Sequence, residues 1–194
     1  MERIRSFIAV ELPPEVRAEL GTLEKRLRAG KHAFVKWVDP DGIHLTLKFL
    51  GGVAPDVIPG IVKAMTGVIR PVSPFELRMG GLGVFPNWNR PQVVWVGLEG
   101  DLDRLAALQQ GLEEALSPLG FTPESRAFKA HLTLGRLRER ASPVDRQEFA
   151  AWARTVEFKG GLSFNIESVN LMKSQLTPGG AIYTPLACVK LGET

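Results

Sequence analysis

His44-Leu45-Thr46-Leu47 and His131-Leu132-Thr133-Leu134 are one tetrapeptide written twice, 87 residues apart, in a chain of 194 residues with three histidines. Such an echo asks whether the surrounding text repeats as well. At the same offset Phe7-Ile8-Ala9-Val10 falls on Val94-Trp95-Val96-Gly97, both β-rich apolar runs. Pro13-Pro14-Glu15 opens a helical pattern with Val16, Leu20, Leu23 and Leu27 on one face. The matching segment starts at Asp101, its expected N-cap, and carries Leu102, Leu105, Leu108, Leu112 and Leu116. Phe34 falls on Phe121. Further helices are predicted over 55–70, behind Pro55-Asp56, and over 142–154, behind Ser142-Pro143. Strand-like Phe75-Glu76-Leu77-Arg78 falls on Leu162-Ser163-Phe164-Asn165, and residues 182–189 supply a closing strand. Each half, approximately 1–90 and 91–194, thus reads strand–helix–strand–strand–helix–strand.

This order predicts an α+β fold. It is a bilobal pseudo-twofold duplication, two antiparallel sheets flanking a central cleft with helices on the outer faces. No flexible linker separates the halves, so residues 1–194 are expected as a single bilobal domain. The glycine-rich stretch from Gly80 to Pro91 is expected as a loop near the midpoint.

In a strand, residues i and i+2 share a face. His44 and Thr46 therefore project together, while Ile43, Leu45, Leu47 and Phe49 are expected in the core. His131 and Thr133 project likewise, with Leu132 and Leu134 behind them. Lys48 has the parity of His44 and Thr46. Two imidazoles near neutral pH make a base–acid pair, and two hydroxyls can hold a tetrahedral anion whose ester bond breaks without a metal. His32 lacks such a context and is expected at an exposed helix end.

Other chemistries find no support. There is no His-Glu-x-x-His or Cys/His cluster for a metal, no Gly-x-Ser-x-Gly elbow and no phosphate-binding loop ending in Gly-Lys-Ser/Thr. Gly80, Gly81 and Gly83 lead into Phe85-Pro86, the wrong continuation for a dinucleotide loop. No metal and no cofactor are expected.

Composition sets the outer bounds. With 44% hydrophobic and 23% charged residues the chain reads as globular, and no apolar run approaches a membrane span. The start, Met1-Glu2-Arg3-Ile4-Arg5, precedes an apolar run too brief for a secretory signal. The one cysteine, Cys188, fits a reducing cytoplasm and is expected as a small buried strand residue. A net charge of +3 suits a polyanionic ligand without marking a nucleic-acid coat. Lys25, Arg26 and Arg28 beside Glu24 read as helix surface, whereas Arg136, Arg138 and Arg140 adjoin the second motif. No heptad or long apolar patch is present, so a monomer is expected.

Around the two words the sequence resembles the 2H phosphoesterase superfamily, specifically its RNA 2',3'-cyclic phosphodiesterases, also called 2'-5' RNA ligases. The likeness runs through Arg5-Ser6-Phe7-Ile8-Ala9 with Pro13, Trp37-Val38 before Ile43-His44-Leu45-Thr46-Leu47-Lys48-Phe49-Leu50-Gly51, and Phe85-Pro86. It continues through Val94-Trp95-Val96-Gly97, His131-Leu132-Thr133-Leu134-Gly135-Arg136, and Leu176-Thr177-Pro178-Gly179-Gly180 with Tyr183. The resemblance implies a bilobal fold with one histidine from each lobe. It implies opening of a 2',3'-cyclic phosphate at an RNA 3' end, tRNA-like fragments included, to a 2'-phosphomonoester, and reverse 2'-5' ligation. His44 would act as general acid and His131 as general base, with Thr46 and Thr133 on the phosphate oxygens. Arg136 matches a family arginine; alternation turns it away from His131, and a bulge at Gly135 would turn it inward. Tyr183, Trp88 and Phe85 are candidates for stacking on a base or for packing. Two alternatives stay open: a small cyclic nucleotide or ADP-ribose cyclic phosphate as substrate, and a noncatalytic RNA-end-binding module.

Overall fold

The first strand, β1 (Ile4–Glu11), buries five consecutive residues from Ser6 to Val10, the mark of a strand covered on both faces. A computed structural model describes residues 3–178 and 180–193; Met1, Glu2 and Gly179, quoted above, lie outside them, as does Thr194. After β1 come α1 (Pro14–Arg28), β2 (Val35–Trp37), β3 (His44–Val53), α2 (Ile58–Ile69) and β4 (Phe75–Phe85). Then follow β5 (Val93–Gly100), α3 (Leu102–Leu116), β6 (His131–Leu137), α4 (Pro143–Thr155), β7 (Ser163–Ile166), β8 (Ser168–Thr177) and β9 (Gly180–Lys190). The helices form for local reasons. Val16, Leu20, Leu23 and Leu27 make the buried stripe of α1, and Ser142 caps α4 in a capping box with Asp145.

The strands make two antiparallel sheets, ordered β3-β1-β8-β9 and β2-β6-β5-β4-β7. Helix α2 packs against α3 and against β8 and β9, while Trp152 of α4 donates to the Leu27 carbonyl of α1 at 2.9 Å. The halves of the sequence are not the sheets. β2 and β4 of the first half lie in the second sheet, and β8 and β9 of the second half lie in the first.

A local twofold is written into the pairing of β4 with β7. Leu77 pairs with Phe164, its own equivalent 87 residues on; Glu76 pairs with Asn165 and Arg78 with Ser163. Each of those partners is the other's counterpart, so the axis passes through the Leu77/Phe164 pair. The offset is different for β1 and β5. Glu11 pairs with His44 and Gly97 with His131, which relates these strands by 86 residues, not 87. Ala9 therefore corresponds to Trp95, and Phe7 to Val93. A one-residue slip in a strand exchanges its faces, so the correction matters for the site.

Several expectations change. The stretch from Gly80 to Phe85 is not a loop but the end of β4, bulged between Met79 and Leu82. Gly83 makes room for Trp95: a methyl there would overlap the indole ring. Residues 121–130 hold no strand where the repeat predicts one; Pro123 lacks the N–H that a ladder needs. Asp101 sits at the α3 cap position without capping, its carboxylate accepting from the Glu76 N–H at 3.3 Å instead. Leu102, one residue on, is exposed. Glu24 is buried rather than at the surface, and Cys188 is exposed on β9, where alternation turns Val189 inward. His32 is no exposed helix end: its ring lies 5.4 Å from Phe34 and 5.5 Å from Phe149, its Nε2 is buried, and burial lowers its pKa.

Candidate active site

Both words lie in strands with the same irregularity. β1 pairs Ala9 with Thr46 and Ile8 with Lys48, which leaves Leu47 as an extra residue. β5 pairs Trp95 with Thr133 and Val94 with Gly135, which leaves Leu134 as the extra residue. Each is a β-bulge one position after the threonine. From each histidine onward, seven positions share one burial pattern: half-buried, buried, half-buried, buried, buried, exposed, buried.

The bulge reverses parity. His44 and Thr46 face one way with Leu45 and Leu47 behind them, as alternation requires. Beyond the bulge Lys48 goes inward and Phe49, expected in the core, is 58% exposed. In β6 the same reversal turns Arg136 toward the side of His131 and Thr133, as a bulge at Gly135 was expected to do. His44, Thr46, His131, Thr133 and Arg136 all line one cleft of about 1720 Å³ between the sheets.

The two imidazoles are held alike. Nδ1 of His44 donates to the Gly42 carbonyl at 2.8 Å, and Nδ1 of His131 donates to the Lys129 carbonyl at 2.6 Å. A carbonyl can only accept, so each Nδ1 keeps a proton and each Nε2 is left for exchange. His44 stacks on Phe7 at 4.6 Å and meets the edge of Tyr183 at 5.0 Å. His131 meets Phe85 edge-on at 4.9 Å and Trp95 at 6.3 Å.

Burial pushes the pKa of His44 below the ordinary imidazole value, with the Gly42 hydrogen bond opposing. Burial also lowers that of His131 against the Lys129 hydrogen bond, and the Arg136 guanidinium lowers it further. The two sites thus differ in charge although they match in shape. Burial raises the Tyr183 pKa, with Arg136 and Arg5 opposing, so its phenol remains a donor at neutral pH. Arg5, Arg126 and Lys129 line the cleft with Arg136 and outnumber the carboxylates of Glu114 and Glu124 there, which leaves it net cationic.

Of the stacking candidates, Tyr183 and Phe85 border the cleft. Trp88 does not; it packs on the core with Arg154 over its ring at 5.1 Å. Phe7 and Trp95, which support the histidines, carry no role in the sequence alone, because their places beside the imidazoles are set by the pairing of β1 with β3 and of β5 with β6. Arg5 and Phe49 escaped the sequence reading for want of any signal of the cleft's extent or of the bulge.

Comparisons with known proteins place the chain in a family. The family model described as "LigT like Phosphoesterase" matches the chain twice, over residues 10–95 and 96–183. The chain belongs to the LigT-like phosphoesterase family. It is 33% identical over 97% of its length to an RNA 2',3'-cyclic phosphodiesterase of Methanothermobacter thermautotrophicus, all of which is covered. It is 35% identical over 94% of its length to an RNA 2',3'-cyclic phosphodiesterase of Archaeoglobus fulgidus, of which 98% is covered. Among solved structures, E. coli LigT complexed with 3'-AMP superposes with a TM-score of 0.74 at 27% identity, covering 99% of this chain and all of that one.

Proposed function

We propose that the chain opens 2',3'-cyclic phosphates at RNA 3' ends, leaving 2'-phosphomonoesters, by metal-independent acid–base catalysis between His44 and His131. The observation carrying this reading is the matched pair of imidazole–hydroxyl strands facing one cationic cleft, each Nδ1 tied to a carbonyl. The activity named for the relatives supports it. Nε2 of His131 takes a proton from water as the water oxygen attacks phosphorus, and Nε2–H of His44 protonates the departing 3'-oxygen. The P–O3' bond breaks and the P–O2' bond remains. Arg136 favours this direction, because a cation beside His131 keeps that imidazole neutral and basic.

Thr46 and Thr133 donate to the non-bridging oxygens, and Arg136 balances the charge that grows on them. With a 5'-hydroxyl RNA in place of water, the same attack joins two ends through a 2'-5' bond. The strained cyclic ester stores the energy, so no nucleotide cofactor takes part. Arg5, Arg126, Lys129 and Arg136 along the cleft attract phosphates. At about 1720 Å³ the cleft exceeds the ~300–1,000 Å³ usual for small-molecule sites. That favours an RNA end, tRNA-like fragments included, over a mononucleotide or ADP-ribose cyclic phosphate. Residues 1–194 act as one bilobal unit, a monomer in the cytoplasm, where the exposed Cys188 stays reduced.

The test is chromatography of an oligonucleotide with a 2',3'-cyclic end after incubation with the protein in EDTA. A 2'-phosphate product is expected. A 3'-phosphate product, or no turnover without added metal, would sink the reading.

A further inference from the structure

Lys48 follows the first word at the bulge and is 2% exposed. Its ammonium is ion-paired with Glu113 of α3 and donates a further hydrogen bond to the Thr122 carbonyl at 3.1 Å. Glu113 also accepts from Gln109 at 2.9 Å, and the same Gln109 amide reaches the Leu47 carbonyl at 3.4 Å. Bulge, lysine and helix thus close a circuit. The acid–base scheme makes no use of this pair: both residues border the cleft, but the Lys48 ammonium is taken up by Glu113 and the Thr122 carbonyl.

What the pair holds is the approach to His131. Residues 122–130 form neither helix nor strand, yet Pro123, Arg126 and Phe128 line the cleft. Lys129 supplies the carbonyl that keeps the proton on Nδ1 of His131. Outside the strand ladders, two hydrogen bonds among the described residues reach 122–129: Lys48 to Thr122, and His131 to Lys129.

The stretch before His44 is secured differently. β2 pairs with β6, and the turn Pro40–Gly42 is capped by the Asp39 carboxylate, which accepts from the Asp41 N–H at 3.0 Å. At Gly135, the counterpart of Lys48, a side chain would press on Trp37 and Val35 of β2. Glu24 holds in α1 the place that Glu113 holds in α3, as the buried sets Val16, Leu23, Glu24, Leu27 and Leu105, Leu112, Glu113, Leu116 show. It pairs with Arg28 of its own helix, and its Oε2 is buried without a partner. The clamp therefore occurs once, on the side that lacks the extra strand.

We propose that Lys48, held by Glu113, is a positioning residue for His131. It anchors residues 122–130 through the Thr122 carbonyl, and so fixes the Lys129 carbonyl that keeps Nδ1 protonated and Nε2 free. The catalytic consequence rests on the two-histidine reading above.

Replacing a buried ion pair by apolar residues of similar size is often neutral or stabilising, so Lys48→Met with Glu113→Leu removes the clamp and spares the fold. The imidazole tautomers are read by long-range 1H–15N NMR, beside thermal unfolding and turnover of a cyclic-ended oligonucleotide. His131 is expected to shift from the Nδ1–H form to a mixture with Nε2–H while His44 stays unchanged. Turnover should fall about 10- to 100-fold from the misplaced imidazole. An unchanged His131 tautomer in the folded double variant overturns the proposal, whatever the turnover does. Should that variant not fold, Lys48→Gln with Glu113→Gln keeps a neutral pair too short to reach Thr122 and is read in the same way. A wild type inactive on the RNA, with the tautomer shift still present in the variant, would count against the cyclic-phosphate reading and leave the clamp standing.

Discussion

Replacing Thr46 or Thr133 by Val tests the anion site most directly. Val copies the shape of Thr and deletes only the hydroxyl. Both threonines are half-buried on the cleft face, and neither hydroxyl makes a hydrogen bond to protein among the described residues. Nothing in the fold is therefore left unpaired by the change, and the unfolding free energy should stay within about 0.5 kcal/mol of wild type or rise. What is lost is a donor to a charged phosphate oxygen, worth about 1.5–3 kcal/mol. That range corresponds to roughly a 10- to 150-fold fall in turnover for each variant. The charge grows in the transition state, so kcat should fall while KM moves little. Steady-state kinetics on a cyclic-ended oligonucleotide, with denaturant unfolding alongside, measures both quantities. The double variant should lose about the product of the two single effects, because the hydroxyls reach the phosphate from separate strands. Wild-type kcat in a folded Thr46→Val variant would refute the reasoning, as would a loss confined to KM.

The histidines should behave otherwise. His44→Ala and His131→Ala are each expected to cost roughly two to four decades in turnover, and the double variant little more, because acid and base act as a unit; single-turnover assays of all three check this. The pH profile carries a sign. Burial and Arg136 lower the His131 pKa, so a base at this position stays neutral to lower pH than a free imidazole. Arg136→Gln removes the cation and lets that pKa rise, and the acid limb of kcat/KM should move to higher pH. A limb that stays put or moves down would reassign the base.

How much of this was legible in the sequence depended on whether the cause was local. The α1 stripe from Val16 to Leu27 and the Ser142-Pro143 opening of α4 are set by neighbours within a few residues, and the sequence announces both. The side-by-side placement of His44 with Thr46 follows from strand alternation alone. The rest depends on partners distant in the chain. Gly83 lies in a strand because Trp95 of the next strand covers it, which no run of glycines reveals. Phe49 turns outward because the β1–β3 register skips Leu47, so alternation failed one step past the word. The offset of 86 between β1 and β5, against 87 at the histidine words and at Leu77/Phe164, was invisible because both runs are uniformly apolar and tolerate a slide of one.

The exchange of strands between sheets bears on how such a chain can be divided. Cut near residue 90, the first half would keep β1 and β3 but lose β8 from the side of β1, and its own β4 would have neither β5 nor β7 to join. Those open backbone edges are complementary to each other under the twofold through Leu77 and Phe164. A lone half could close them only by docking with a second copy of itself, each lending β4 to its twin. The present chain is the covalent form of that handshake, and its connection between β4 and β5 makes permanent what would otherwise depend on concentration.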